Sequence, residues 1–287
     1  MSLTPAGPDI QLLRLQAPAP PGWEAPNLYL IGKAELTLVD AGYPGAHIAE
    51  EVLAAAQGKP IRQILLTHGH LDHAGAAPWL KEKTGCAIFC HEQDRDRLTQ
   101  RLKKAGVDGL LRDGDVIAAE DKKIRVLETP GHSPGHVAFW IEAEGTLFTG
   151  DLVTGAGSTF IGPPEGNMAA YMASLDKVLA LPAKRLLPGH GPLVADPQKR
   201  VRELIAHRRL RELQIGKILE AGPATLSEMV ERAYGGLIHP GLKGAATVTL
   251  LAHLDKLAAE KKVGFQTPDA PPHERTYFLT VPTPLPY

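Results

Sequence analysis

The chain has 287 residues, of which 44% are apolar and 22% are charged, and its formal net charge is −1. This length predicts one large domain and one small one, and the charge balance argues against nucleic-acid binding over the whole surface. No apolar run is long enough to span a bilayer, and no basic start is followed by an apolar stretch at the N-terminus. We therefore expect a cytoplasmic protein that does not enter a membrane.

Apolar periodicity predicts alternating strands and helices, with hairpins between some of the strands. A strand at 10–15 precedes a hairpin formed by 27–32 and 35–40, which is followed by a helix at 46–57. The other elements predicted before residue 195 are the strands 61–67, 86–90, 116–118, 123–127, 138–141, 146–149 and 186–187, and the helices 74–83, 92–104 and 168–180.

The most informative motif directly follows the strand predicted at 61–67. It places His68, His70, Asp72 and His73 within six residues. Imidazole nitrogens and carboxylate oxygens are zinc ligands that bind at about 2.0–2.2 Å. A tight turn after a buried strand can aim these side chains into one volume. The alternative is a polar surface loop rich in histidine, which the motifs further along the chain disfavour.

Three further strand ends present a His or an Asp after a glycine. His132 ends Thr-Pro-Gly-His, Asp151 ends Thr-Gly-Asp, and His190 follows Pro-Gly. Any one of these motifs alone is typical of an ordinary turn, but together they predict a site built on loops over a sheet. His136 either supports a ligand or contacts an oxyanion, or it belongs to a capped turn; we favour a supporting or structural role.

The chain changes character after Asp196. Helices are predicted at 198–220, 225–234 and 245–261, followed by an extended segment at 263–265, and Arg208 and Glu212 lie four apart on one helical stripe, where a pair is expected. Residues 195–265 contain twelve Lys and Arg but eight Asp and Glu. This excess indicates either a contact for single-stranded nucleic acid or a solvated face that walls one side of a cleft. The tail at 266–287 is rich in proline, with a strand candidate at 276–281.

The succession His-x-His-x-Asp-His, lone His, Asp and Pro-Gly-His resembles that of metallo-beta-lactamase-fold hydrolases, and the resemblance covers about residues 27–194. It implies an α+β fold, namely a four-layer αββα sandwich over 1–195, with a small winged-helix-like α domain over 196–265 and a tail at 266–287. Asp40 matches a family Asp that steadies the metal loop, or it simply forms a turn before Gly42. The resemblance implies a first metal held by His68, His70 and His132, a second held by Asp72, His73 and His190, and Asp151 as the bridge.

Motifs at 155–159, 171–175, 207–208 and 211–212 are similar to those of the beta-lactamase-like protein 2 group of that family. Members of this group include a single-strand RNA endonuclease, and relatives include polyketide thioesterases. Glyoxalase II shares the metal site but is a more distant match in the C-terminal part. Residues 155–159 and 163–165 together with Tyr171 are candidates for the pocket wall.

The expected function is that of a dinuclear zinc hydrolase. Two zinc ions about 3.5–4 Å apart share a hydroxide and polarise the scissile group. The same chemistry serves a small-molecule thioester, lactone or ester and a phosphodiester such as single-stranded RNA, so the substrate class stays open. Asp72 is expected to be essential for catalysis, because its loss would empty one metal site.

Manganese and iron are alternative metals. The protein is also a candidate for a homodimer, since the sequence leaves its oligomeric state undecided. One alternative function is that of a mononuclear iron sulfur dioxygenase-like oxidoreductase. An imidazole at His70, where diiron redox relatives carry Glu, favours zinc and hydrolysis. The other alternative is a nucleic-acid-binding module on a vestigial core, against which the complete ligand set argues.

Overall fold

The computed structural model describes residues 2–15, 24–102, 105–236 and 238–280. Seven strands form the first sheet, in chain order from one edge to the other. The first to the fourth strand pair in antiparallel fashion, and the fourth to the seventh strand run parallel to one another. The strands are Ser2–Gly7 (β1), Ile10–Arg14 (β2), Asn27–Ile31 (β3), Leu36–Val39 (β4), Ile61–Leu65 (β5), Ala87–His91 (β6) and Gly109–Leu111 (β7).

Five strands form the second sheet, in the order β12-β11-β10-β9-β8. Their bounds are Val116–Ala119 (β8), Lys122–Glu128 (β9), Val137–Ile141 (β10), Thr146–Gly150 (β11) and Arg185–Pro188 (β12). The pair β11 and β12 is parallel, whereas the other pairs are antiparallel. Because β10 is wholly buried along its sequence Val-Ala-Phe-Trp-Ile, it lies between apolar layers on both faces.

The helices of the part that holds these two sheets are Ala46–Ala56 (α1), Leu71–Ala74 (α2), Ala77–Thr84 (α3), Arg95–Leu102 (α4) and Met168–Leu179 (α5). One apolar cluster joins α1, α3 and α4 to the outer face of the first sheet. A second cluster fills the space between the two sheets, and a third joins α5 to the outer face of the second sheet. The predicted four-layer αββα sandwich is therefore confirmed.

The C-terminal region contains Pro197–Glu220 (α6), Leu226–Tyr234 (α7) and Lys243–Ala259 (α8). Three short strands, Ala224–Thr225 (β13), Val263–Phe265 (β14) and Thr276–Leu279 (β15), form a small sheet in the order β13-β15-β14. A capping box begins α7, since Thr225 and Glu228 bond reciprocally. This succession of elements fits a winged-helix-like domain, which stays a proposal along with the domain limits. The pairing of β15 argues for moving the end of this domain beyond 265.

Several predicted elements differ from those found. The helix expected at 74–83 begins only at Ala77, as α3, because Pro78 has no N–H to donate to the preceding turn; the short helix α2 before it was not predicted. The helix expected at 92–104 begins as a 3-10 turn at Glu92–Asp94, and residues 103–104 lie outside the described residues. The strands β1 and β7 were not predicted. None of the helices in the described ranges has the length and hydropathy needed to cross a membrane.

Candidate metal centre

The sequence-predicted donors meet at one edge of the two sheets, where the strands end. The loop after β5 carries His68 and His70, and α2 carries Asp72 and His73. The loops after β9, β11 and β12 supply His132, Asp151 and His190, respectively. Because β4, β5 and β6 run parallel, and so do β11 and β12, their carboxyl ends deliver these loops to a common place.

The first group of donors is His68, His70 and His132. Nδ1 of His70 lies 3.0 Å from Nε2 of His68 and 2.9 Å from Nε2 of His132. His68 and His132 are buried, and His70 is partly exposed. Three imidazole nitrogens therefore face one point.

The second group is Asp72, His73 and His190. The two Nε2 atoms of His73 and His190 are 3.1 Å apart, and Oδ2 of Asp72 lies 3.5 Å from Nε2 of His190. Asp151 stands between the two groups. Its Oδ1 is 3.4 Å from His73 Nε2 and 3.5 Å from His190 Nε2, whereas its Oδ2 is 3.5 Å from His132 Nε2.

Each histidine of the two groups has an inner ring nitrogen, which faces the other donors, and an outer ring nitrogen, which points away from them. In every case the outer nitrogen faces a hydrogen-bond acceptor. For His73 this acceptor is Oδ2 of Asp40, at 2.8 Å, and for His70 it is Oε2 of Glu165, at 3.0 Å. Such acceptors hold the proton on the outer nitrogen and leave the inner lone pair free for a metal. The acceptors of the remaining three are Thr67 Oγ1 for His68, the carbonyl of Phe160 for His132 and the carbonyl of Glu24 for His190.

These residues fit divalent cations. Inner nitrogens that carry lone pairs repel one another at about 3 Å unless a cation lies among them. Oδ1 of Asp151 is buried and has no hydrogen-bond partner within the described part of the chain. Gly189 leaves room for it, since a Cβ there would lie 2.7 Å from that oxygen.

The charges of the cluster suit metal binding as well. Burial and the neighbouring imidazoles hold the pKa of His68 well below its usual value, and burial lowers the pKa of His70 to about 4. Burial raises the pKa of Asp72, but His73 and His190 outweigh it and lower the value to about 2. Burial opposes a charge on His73, yet the surrounding carboxylates raise its pKa well above the usual value. The carboxylates that raise this pKa are also groups that attract a cation.

Asp40 holds the metal loop from behind. Its carboxylate accepts from the Thr67 amide at 2.8 Å, from the Thr67 hydroxyl at 2.9 Å and from Nδ1 of His73. The residue is buried and its φ is 59°, a left-handed conformation that Asp adopts more readily than most residues. This geometry favours the steadying role over that of a simple turn.

His136 is buried beside the donors but directs neither nitrogen into the two groups. Its Nδ1 lies 2.8 Å from Thr129 Oγ1, and its Nε2 accepts from the Asp151 amide at 3.0 Å. Burial lowers the pKa of His136 to about 3, so the ring is neutral. This arrangement favours the supporting role, because the ring fixes the backbone that carries Asp151.

Sequence reasoning missed two supporting carboxylates. Asp94 accepts from the Gly69 amide at 2.9 Å, and Glu165, expected in a pocket wall, instead contacts His70 and Nη1 of Arg97. No local motif marks either residue. Of the other pocket-wall candidates, residues 156–159 line a cavity beside the donors, while Tyr171 is buried beneath Arg208.

The predicted pair between Arg208 and Glu212 is wrong. Glu212 lies 2.9 Å from Lys256 Nζ and 3.4 Å from His253 Nδ1, both on α8. Arg208 instead donates to the carbonyl of Thr159, in the part with the two large sheets. The first half of α6 packs against the part with the two large sheets and the second half against the C-terminal region. Arg208 and Glu212 therefore reach different partners at different points along the helix.

Comparison with known proteins agrees with this geometry. The family model described as "Metallo-beta-lactamase superfamily" matches residues 21–190. The Caenorhabditis elegans "Beta-lactamase-like protein 2 homolog" is 32% identical over 71% of this chain and 68% of its own length. The Aspergillus fumigatus "Atrochrysone carboxyl ACP thioesterase" is 31% identical over 84% of this chain and 78% of its own. The Rhodospirillum rubrum "Hydroxyacylglutathione hydrolase" is 36% identical over 62% of this chain and 69% of its own length.

A solved structure shares the whole architecture. The beta-lactamase domain protein from Burkholderia ambifaria superposes with a TM-score of 0.84 and covers 96% of this chain and 93% of its own. Its sequence identity is 23%, so the likeness concerns the fold.

Proposed function

The chain belongs to the metallo-beta-lactamase superfamily and is a metal-dependent hydrolase, and from this premise we propose that it uses two zinc ions to hydrolyse thioesters and related esters. The observation that carries the proposal is the position of Asp151. Its two oxygens face different donor groups, as a carboxylate that bridges two cations must. We assign His68, His70 and His132 to one cation, and Asp72, His73 and His190 to the other.

When bound, two such cations supply an acidified water as nucleophile and polarise the scissile oxygen. The protein's own contribution is to hold the donors still. Asp40 and Glu165 keep protons on the outer nitrogens of His73 and His70, and His136 fixes the amide of Asp151. The positions of the donors are therefore set before substrate arrives, which is the condition for electrostatic stabilisation of a transition state.

The cavity next to the donors favours a carbonyl substrate over a nucleic acid. It has a volume of about 520 Å³, and its outer wall includes Ile238, Leu242 and Ala245 from the C-terminal region. Such a volume is typical of small-molecule sites. His132, Asp151 and His190 line the same cavity, so an acyl group seated there presents its carbonyl to the donors.

The test is a substrate panel with the zinc-loaded protein. It compares a thioester, a lactone, a phosphodiester reporter and a labelled RNA oligomer. We expect turnover of the thioester and its loss in Asp72→Ala, because this variant removes one ligand of the second cation. Asp96→Ala is the matched control, since Asp96 is exposed on α4 and belongs to neither group of donors. Retained turnover in Asp72→Ala, or cleavage of RNA without turnover of the thioester, would contradict the proposal.

Metal analysis separates this proposal from the oxygenase alternative. Protein purified without added metal should contain two zinc ions per chain. One iron per chain, together with oxygen uptake on a persulfide substrate, would instead support the dioxygenase.

A further inference from the structure

The cavity beside the donors has two chemically different ends. His132, Asp151 and His190 line one end, and His207, Arg208 and Arg211, which follow one another on α6, line the other. Its carboxylates are Asp151, within the donor cluster, and Glu24, whose backbone carbonyl accepts from His190. The end formed by α6 therefore carries cations without carboxylates.

Arg208 is buried in this wall, with 2% of its surface exposed. Its Nη2 donates to the carbonyl of Thr159, and its guanidinium lies 5.2 Å from the centre of the Tyr171 ring. Within the described residues, no carboxylate lies within 4.0 Å of this guanidinium, and its Nε has no hydrogen-bond partner. A buried guanidinium normally has an anionic partner, because its charge is costly to remove from water.

The nearest carboxylate along the helix is already engaged. Glu212, one turn after Arg208, is held by Lys256 and His253 of α8. Arg211 is half-buried, lies 4.2 Å from the centre of the Tyr234 ring and donates to the side chain of Gln214. It too takes part in no ion pair among residues 2–15, 24–102, 105–236 and 238–280.

We propose that Arg208 and Arg211 bind an anionic group of the substrate while its scissile carbonyl faces the donor cluster. This inference rests on the proposed hydrolysis of thioesters and esters and names the substrate class more closely. The planar guanidinium matches a carboxylate or a phosphate, which it binds through charge-assisted hydrogen bonds. The anion comes from one of two sources, a carboxylate at the far end of the acyl group or a phosphate on the thiol portion.

Paired substrates distinguish the two sources. Succinyl, glutaryl and adipyl thioesters of N-acetylcysteamine are each compared with the corresponding methyl ester, which lacks the charge. Butyryl thioesters of pantetheine and of pantetheine 4′-phosphate form the second arm. We expect kcat/KM to be at least about tenfold higher for the charged member in one arm, which is the size of a single charge-assisted interaction.

Variants on α6 test the assignment. Arg211→Gln and Arg208→Gln should each bring the ratio of charged to neutral kcat/KM close to one. Arg209→Gln should keep the wild-type ratio, because Arg209 is exposed on the same helix and does not line the cavity. Arg208 is buried and its variant has to be checked for folding; Arg211 is half-buried and carries the test independently.

Binding to metal-free protein separates this inference from the proposed function. Calorimetric titration with glutarate and with inorganic phosphate should detect binding of at least one anion that weakens about tenfold in Arg211→Gln. Hydrolysis of neutral thioesters with no charge preference in either arm would overturn the anion site and leave the proposed function standing. A preference that persists in both Arg variants would also overturn it. If no thioester is hydrolysed, the calorimetric titration alone tests the anion site. Absence of binding of both glutarate and phosphate then refutes it.

Discussion

Replacement of Asp40 by Asn tests how the protein prepares its metal centre. The substitution keeps the shape of the side chain and a residue type that tolerates the left-handed φ of 59°. The carboxylate, however, accepts from the Thr67 amide, the Thr67 hydroxyl and Nδ1 of His73. A carboxamide has one oxygen only, so its NH₂ group must face a donor.

Two outcomes are available to the buried Asn, and both weaken the centre. If His73 keeps its proton on Nδ1, two donors face each other without an acceptor, which costs about 1–3 kcal/mol of folding free energy. If the proton moves to Nε2, His73 loses the lone pair that faces His190. Loss of such a supporting contact lowers metal affinity by about 10–100-fold.

Zinc affinity by competition with a chromophoric chelator, and urea unfolding of the metal-free protein, measure the two effects. Asp9→Asn is the matched control, because Asp9 has a φ of 54° but pairs with the exposed Lys33 and only at 3.8 Å with Lys122, which keeps its pair with Glu144. The control should keep its zinc affinity and lose less than about 1 kcal/mol of stability. Unchanged zinc affinity and unchanged stability in Asp40→Asn would refute the steadying role of Asp40.

Three further predictions concern two neighbours of the centre and one buried histidine of the C-terminal region. Glu165→Ala should lower zinc affinity about tenfold, because His70 loses the acceptor of its outer nitrogen. Glu165→Gln keeps an acceptor oxygen and should lower zinc affinity less. Equal losses of affinity in chelator competition would contradict this prediction. Gly189→Ala should also weaken zinc binding, since its Cβ would lie 2.7 Å from Oδ1 of Asp151, and Gly244→Ala, with no atom within 4 Å, should leave it intact. Burial lowers the pKa of His253, so the stability that this residue contributes is present above its unfolded value of about 6.5 and is lost as the pH falls below that value. His253→Gln should therefore flatten the loss of unfolding free energy between about pH 6.5 and 5; parallel pH profiles would show that His253 is not responsible.

The donor residues could be predicted because each motif is local. A strand, a glycine turn and a His or Asp appear together in the sequence, and the carboxyl ends of the strands bring the turns to one edge. The family and the class of enzyme predicted from these motifs are confirmed. The predicted roles of the individual donors stay proposals.

The supporting contacts of Glu165 and Asp94 could not be predicted, because they join distant parts of the chain. Glu165 meets His70 across 95 positions, and Asp94 meets Gly69 across 25. The same holds for Arg208. Helical spacing predicted Glu212 as its partner, but tertiary packing brings it to the carbonyl of Thr159, which is distant in the sequence. The strand β1 contains Pro5 and was missed, although an edge strand can accommodate proline.

Anomalous scattering from crystals of the zinc-loaded protein tests the central claim most directly. The account predicts two ions. One should lie within about 2.0–2.2 Å of the inner nitrogens of His68, His70 and His132, and the other should be bound by Asp72, His73 and His190, with Asp151 touching both. A single ion, or two ions that leave either group of donors unbound, would contradict it.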